Sequence, residues 1–127
     1  MTSQRNGNFW ISLKHAAEGL WHAMYTQRNF RIHLVATILV IMVGLWLRLP
    51  LVSWAILTLT IGIVLVTEMM NTAAEALVDL ASPAYHPLAK LVKDVAAGAV
   101  LVTALTAIVV GLIVLGPPLL ARLGLVG

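Results

Sequence analysis

Three long apolar stretches, separated by short polar breaks, make up most of the chain after residue 30. A helix crosses the hydrocarbon of a bilayer in roughly 17–25 residues, so the pattern predicts three membrane-spanning helices. The predicted spans cover about 31–47, 51–80 and 88–115. Pro50 suits the start of the second helix, and prolines bracket the loop at 82–87. We expect Gly116-Pro117-Pro118 to end the third helix, which leaves 117–127 as a short tail.

The segment before the first span has a different pattern. Apolar residues recur at intervals of three and four from 9 to about 26, with polar residues between them. This periodicity predicts an amphipathic helix that lies on the membrane surface. A soluble amphipathic helix packed against a partner would show the same pattern. Residues 1–8 are polar, and we expect them to be disordered, so that a single domain covers 9–116.

The composition supports a membrane protein. Of the 127 residues, 61% are hydrophobic and 10% are charged, whereas a soluble domain carries about 25% charged residues. So much apolar surface could not be buried in the core of one small soluble domain. The chain has no cysteine, which excludes disulfides and cysteine-bound metals.

The basic residues predict how the three spans are oriented. In this topology six of them lie on one side, namely Arg5, Lys14, Arg28, Arg31, Lys90 and Lys93. The other side carries Arg48 and Arg122. Because cytoplasmic segments carry an excess of lysine and arginine, the N-terminus and the 81–93 loop are predicted to be cytoplasmic. That is the side on which ATP is found.

Three acids follow directly after the uncharged run that ends at Val66. At about 100° per residue, Glu75 and Asp79 each fall within about 20° of Glu68, with Glu68 roughly 16 Å deeper than Asp79. An ionised carboxylate at mid-membrane costs about 2.5–3.5 kcal/mol, so it faces a protein interior or a polar cavity and marks a candidate functional site. We interpret Glu68 as a general base for an alcohol near the bilayer surface.

Other interpretations of these polar residues are open. The acids could only hold helices together through hydrogen bonds, or they could carry protons in a small transporter or channel. Three spans with acids clustered at one face are untypical of transporters built from inverted repeats. Lys93, near the start of the third helix, could supply positive charge for a phosphate or pair with Asp79 or Asp94.

The common phosphate-binding loops are missing from the sequence, which has neither GxxxxGK[ST] nor GxGxxG. A nucleotide would therefore be held by a metal, carboxylates and a few polar side chains. Paired carboxylates suit Mg²⁺, which takes few protein ligands and shares its coordination shell with phosphate oxygens. Small residues along the third helix, such as Ala104, Ala107 and Gly111, favour close helix packing, including packing between subunits.

Four stretches resemble a known family. The sequence from Glu68 to Asp79 is similar to E-x-x-N-[ST]-A-x-E-x-x-x-D, the signature of the prokaryotic diacylglycerol kinases, which include the undecaprenol kinases of Gram-positive bacteria. The sequence from Lys93 to Leu101 resembles the second signature, K-D-x-A-A-[GA]-A-V-L. Arg28 to Leu34 and Ser12 to Gly19 resemble the ERNxRIH and surface-helix stretches of the undecaprenol kinase branch. The resemblance covers roughly residues 9–115.

This resemblance implies an all-α homotrimer in the bacterial inner (cytoplasmic) membrane. It implies transfer of the γ-phosphate of ATP, with Mg²⁺, to the hydroxyl of diacylglycerol or undecaprenol, and it implies no nucleic-acid partner. By position, Glu68 would be the base, Asn71 its catalytic neighbour and Glu75 a metal ligand. The residues implied at the nucleotide are His15, Glu75, Asp79, Tyr85, His86, Lys93 and Asp94. The residues implied at the lipid are Arg31, Glu68 and Ala97.

The chain departs from the family at one implied metal ligand. The second metal-binding glutamate of the family falls at position 27, where this chain has Gln27. Glutamine offers a carbonyl oxygen but no charge, so we expect weaker Mg²⁺ binding with Glu75 as the sole acidic ligand. An enzyme with this change would be slower, need more metal, or be inactive.

Overall fold

A computed structural model describes residues 8–127, which form four helices and no strand. The helices are α1 (Phe9–Thr26), α2 (Arg28–Leu47), α3 (Leu51–Ala81) and α4 (Pro87–Arg122). Helices α2, α3 and α4 are long and apolar enough to cross a membrane. Residues 1–7 of the predicted disordered segment lie outside the described part of the chain. Asn8 caps α1, because its Oδ1 accepts a hydrogen bond from the N–H of Trp10 (3.3 Å).

A single residue separates α1 from α2. Gln27 has an extended backbone (φ −102°, ψ 110°), and its N–H closes α1 by donating to the carbonyl of Ala23. The carbonyl of Gln27 accepts from the N–H of Arg31 and begins α2. The guanidinium of Arg31 donates to the carbonyl of Tyr25 (3.0 Å), which satisfies a free carbonyl in the last turn of α1. These bonds tie the direction of α1 to the first turn of α2.

The turn between α2 and α3 is a Schellman motif. Arg48 adopts the left-handed conformation (φ 55°, ψ 52°), the N–H of Leu49 donates to the carbonyl of Gly44, and that of Arg48 donates to Leu45. Leu49 is buried beneath the turn. A Cβ at Gly44 would lie 2.7 Å from the Trp54 ring, so only glycine allows α2 and α3 to approach this closely.

Helix α4 packs mainly against α3, and a short loop joins them. The Oγ of Ser82 donates to the carbonyl of Ala84 (2.9 Å) within this loop. His86 caps α4, because its Nδ1 accepts from the N–H of Leu88 (3.1 Å), and Pro87 occupies the first helical position. The loop therefore sets the register between the end of α3 and the start of α4.

The predicted end of the third span was wrong. Helix α4 continues through Pro117 and Pro118 to Arg122. The two prolines remove two backbone donors, a loss that membrane helices tolerate because neighbouring groups satisfy the freed carbonyls. The helix stops at a second Schellman motif, in which Gly124 has φ 70° and the N–H of Leu125 donates to the carbonyl of Leu120. Glycine just past the last turn was therefore the stop signal.

Few side chains are buried within one chain. The buried apolar residues are Ala23, Phe30, Leu49, Leu57, Val64 and Val78. Large apolar side chains are exposed along all three long helices, as expected for surfaces that face lipid or another membrane helix. Glu68, in the middle of α3, is an acid, yet it is more deeply buried than any of the buried apolar residues.

Candidate active site

The most deeply buried functional group of the described chain is the carboxyl of Glu68. The residue is 1% exposed, and its Oε2 has no hydrogen-bond partner within residues 8–127. The Nε2 of His33, on α2, lies 3.9 Å from this oxygen. Burying a carboxyl without a hydrogen-bond partner costs free energy, which makes Glu68 a candidate functional residue.

Two further acceptors continue the face of α3 that carries Glu68. The Oδ1 of Asn71, one turn further along, is buried and also has no partner among the described residues. Glu75 lies one turn beyond Asn71 and is half-buried. The hydroxyl of Thr72 is engaged, since it donates to the backbone carbonyl of Glu68 (3.0 Å). Within residues 8–127, this face of α3 therefore carries two buried acceptors without donors, Glu68 Oε2 and Asn71 Oδ1.

A polar cavity of about 310 Å³ opens where α3, the 82–86 loop and α4 meet. That volume lies at the lower end of the range for small-molecule sites. The cavity brings together five of the residues implied at the nucleotide, namely Asp79, Tyr85, His86, Lys93 and Asp94. Tyr85 and His86 are exposed at its rim, so their rings can reach a ligand without opening the fold.

The cavity contains two ion pairs. The Nζ of Lys93 donates to Oδ1 of Asp79 (2.6 Å), which answers the open question of its partner. Asp94 pairs with Lys90, four residues earlier on α4. Both pairs are partly exposed, and exposed pairs contribute little to stability. The lysines can therefore exchange a carboxylate for a phosphate at small cost.

The remaining implied residues lie apart from this cavity. His15 is on α1, where its Nδ1 lies 3.1 Å from a carboxylate oxygen of Glu18. Arg31 is held by the carbonyl of Tyr25. Ala97 is exposed on α4, one turn beyond Lys93. Within one chain these residues and the cavity do not form a single pocket.

The implied metal ligands are oxygen donors from two separate elements. Glu75 offers a carboxylate on α3, and Gln27 offers an amide oxygen at the α1–α2 junction, while its Nε2 donates to the hydroxyl of Thr26 (3.3 Å). No group of three or more histidine or acidic side chains that could hold a metal meets within residues 8–127. Mg²⁺ prefers oxygen ligands and accepts only one or two protein carboxylates, so the carboxylate of Glu75 and the amide oxygen of Gln27 are ligands of the chemical type that suits it.

Sequence reasoning gave no role to two residues that the structure puts at the site. His33 belongs to the Arg28 to Leu34 stretch, but only its distance to Glu68 across two helices reveals a link. Lys90 lines the cavity and pairs with Asp94. The spacing of four between Lys90 and Asp94 was a readable signal, whereas nothing in the sequence pairs residues 33 and 68.

Comparisons with known proteins give consistent matches. The family model for prokaryotic diacylglycerol kinase matches residues 14–115. A diacylglycerol kinase of Synechocystis is 45% identical over 115 residues, which cover 90% of this chain and 66% of that protein. An undecaprenol kinase of Bacillus subtilis is 41% identical over 111 residues, covering 87% of this chain and 90% of that protein. A diacylglycerol kinase of Escherichia coli is 31% identical over 98 residues, with coverages of 77% and 80%.

Proposed function

The chain belongs to the prokaryotic diacylglycerol kinase family, and we propose that it is an ATP-dependent kinase of a membrane lipid alcohol. The observation that carries this proposal is the burial of the Glu68 carboxyl on the helix that ends in the polar cavity, with no hydrogen-bond partner for its Oε2 among the described residues. A base at membrane depth suits a lipid hydroxyl, and a polar cavity near the surface suits a nucleotide.

The nucleotide side of the reaction uses the cavity. Lys93 exchanges Asp79 for the phosphates and neutralises their charge. Tyr85 and His86 contact the nucleotide from the rim, and Asp94 holds Lys90 in place. Glu75, with the amide oxygen of Gln27, would hold Mg²⁺. When bound, this ion shields the phosphate charge and helps to orient the γ-phosphate.

The lipid side of the reaction uses Glu68. One carboxylate oxygen of Glu68 takes the proton of the lipid hydroxyl while the oxygen of that hydroxyl forms a bond to the γ-phosphorus. The bond between this phosphorus and the bridging oxygen of ADP breaks, and ADP leaves. Such transfers depend on positioning and charge neutralisation rather than on a covalent enzyme intermediate. Asn71 Oδ1, one turn away, is a free acceptor that can orient the hydroxyl or a water.

The proposed function also implies a membrane location and orientation for the chain. The chain is a bacterial membrane protein, and we assign it to the inner membrane with the N-terminus and the cavity on the cytoplasmic side, as the excess of basic residues there favours. Helix α1 lies on that surface, with Trp10 and Trp21 near the headgroups. A homotrimer would cover part of the exposed apolar surface of α2–α4 and bring the separated residues of neighbouring chains together.

The lipid substrate is either diacylglycerol or undecaprenol. The relatives include a protein named diacylglycerol kinase at 45% identity and one named undecaprenol kinase at 41% identity. Diacylglycerol and undecaprenol are both alcohols that carry their hydroxyl at the membrane surface. Glu68 can therefore act as the base for either lipid. The substrate class is therefore a membrane lipid with one free primary hydroxyl.

The direct test is transfer of ³²P from Mg·ATP in mixed micelles, with diacylglycerol and undecaprenol offered separately. We expect the wild type to phosphorylate one of them, with Glu68→Gln as the matched blank. Gln27→Glu adds an acidic metal ligand, so we expect it to lower the Mg²⁺ concentration needed for half-maximal rate. Asn8→Asp, which adds an acid at the exposed start of α1, should leave that concentration unchanged.

Two results of this experiment would count against the proposal. An inactive wild type that Gln27→Glu makes active would identify a family member that lost its kinase activity at position 27. No transfer to either lipid by the wild type or by Gln27→Glu would contradict the kinase assignment for these lipids. In that case proton flux in vesicles without ATP turnover would favour a proton-coupled transporter.

A further inference from the structure

Glu68 lacks the donor that a buried carboxyl requires, and the structure offers one candidate. Its Oε2 is unpaired within the described chain, and the hydroxyl of Thr72 is already engaged with the backbone. Among the described residues, the basic nitrogen within 4 Å of this oxygen is Nε2 of His33, at 3.9 Å, on the neighbouring helix α2. The side chain of His33 is 22% exposed and that of Glu68 is 2% exposed, so solvent competes little for either group.

The basic side chains that flank this region have other partners. Arg31 donates to the carbonyl of Tyr25, and Lys93 donates to Asp79. Lys90 pairs with Asp94. His33 is therefore the one basic side chain that the described structure puts beside Glu68.

His33 also borders an apolar cavity inside the helix bundle. His33 lines a small cavity of about 100 Å³ between α2, α3 and α4, whose other walls include Leu57, Val64 and Ala107. It is the only titratable side chain among the residues that line this cavity. One ring nitrogen thus faces the carboxyl while the ring itself borders an apolar space.

We propose that His33 is a positioning residue for Glu68, with its Nε2–H as the donor that holds one carboxylate oxygen. The other oxygen is then fixed toward the lipid hydroxyl. The observed 3.9 Å exceeds hydrogen-bond distance, and catalytic contacts of this kind commonly tighten when substrate binds. The proton removed from the lipid hydroxyl ends on Glu68, and His33 keeps its own. This inference rests on the proposed kinase function.

The test uses three variants of the full-length protein in the ³²P assay. His33→Leu removes the donor, and we expect kcat to fall roughly 10–100-fold, a part of the 10²–10⁴-fold that a general base contributes. KM for ATP should not change, because the nucleotide cavity is untouched. His33→Gln returns an N–H donor close to the original Nε2 and should recover most of kcat. His22→Leu, an exposed histidine of α1, is the matched control and should behave as wild type.

A second measurement does not depend on activity. Difference infrared spectra between the wild type and Glu68→Gln, recorded with the lipid alcohol present and without ATP, isolate the carboxyl band of Glu68 in the state in which the bond is expected. We expect this band to shift in His33→Leu and to stay near its wild-type position in His33→Gln. An inactive wild type would contradict the kinase proposal, while the infrared bands would still decide whether His33 bonds Glu68.

The inference is overturned by an active wild type whose kcat is retained in His33→Leu, or by a Glu68 band that His33→Leu leaves unmoved. It is also overturned if His33→Leu and His33→Gln lose the same amount of activity and both variants also lose thermal stability. That last pattern would indicate a packing role, because a packing residue is not rescued by a donor.

Discussion

The two ends of the helix bundle are built in opposite ways. At the turn end, around Arg48 and the last turn of α4, two Schellman motifs satisfy the backbone and Gly44 brings α2 against the Trp54 ring. At the site end, around Glu68 and the 82–86 loop, two buried oxygens lack partners within residues 8–127 and the ion pairs lie in an open cavity. The turn end is packed for stability, whereas the site end keeps polar groups available for ligands.

Packing at the turn end can offset the free-energy cost of the buried oxygens at the site end. A buried donor or acceptor without a partner costs about 1–3 kcal/mol. Two such oxygens, on Glu68 and Asn71, therefore have to be offset by contacts elsewhere. The close helix approach at Gly44 and the Arg122 guanidinium, 5.3 Å from the Trp46 ring, are contacts of that kind.

The sharpest test of the turn end is Gly44→Ala. The added Cβ would lie 2.7 Å from the Trp54 ring, and overpacking of this kind costs about 1–3 kcal/mol. Gly62→Ala, on α3, meets no atom within 4 Å and is the matched control, with a small gain from helix propensity. Unfolding in mixed detergent micelles measures both. Equal stability of the two variants would contradict the packing account of this end.

The corresponding test of the site end is Lys93→Met. We expect KM for ATP to rise about tenfold, because one positive charge toward the phosphates is lost. KM for the lipid and the unfolding midpoint should change little, since the pair with Asp79 is exposed. An unchanged KM for ATP would remove Lys93 from the nucleotide site.

Arg122→Met applies the same change of charge at the turn end. We expect a loss of about 0.5–1 kcal/mol in stability, because the guanidinium no longer contacts the Trp46 ring. The kinetic constants for ATP should equal those of the wild type. A raised KM for ATP in this variant would show that the two ends are not separate.

The smallest expected effect is a gain in stability from Arg48→Gly. Arg48 has φ 55°, a left-handed conformation that costs a residue with a Cβ about 1–2 kcal/mol. Glycine removes this cost but loses more entropy on folding, so we expect a net gain below about 1 kcal/mol. Thermal unfolding is the readout, and a lower midpoint would contradict this account of the turn.

The helices could be predicted from the sequence where one local signal dominated. The apolar runs and Pro50 located α2 and α3 within a few residues. A membrane span can be recognised from the length of its apolar run alone, without a periodic pattern of polar residues. The predicted end of α4 was wrong because Pro117 and Pro118 do not stop this helix, which ends just before Gly124. A proline pair is a strong stop signal in water and a weaker one in a membrane helix.

The site could be predicted along one helix but not between helices. Rotation of 100° per residue was enough to align Glu68, Glu75 and Asp79 on one face of α3. The partner of Lys93 was left between Asp79 and Asp94, because the choice depends on how α4 sits against α3. His33 received no role for the same reason, since its distance to Glu68 depends on the register of α2.

The most direct test of the central claim is lipid phosphorylation by Glu68→Gln, measured beside its stability. The substitution keeps the shape of the side chain and removes the base. We predict a loss of about 10²–10⁴-fold in kcat with unfolding stability equal to or above that of the wild type, because a buried unpaired carboxyl is gone. A Glu68→Gln protein that phosphorylates lipid at the wild-type rate would contradict the assignment of Glu68 as the base.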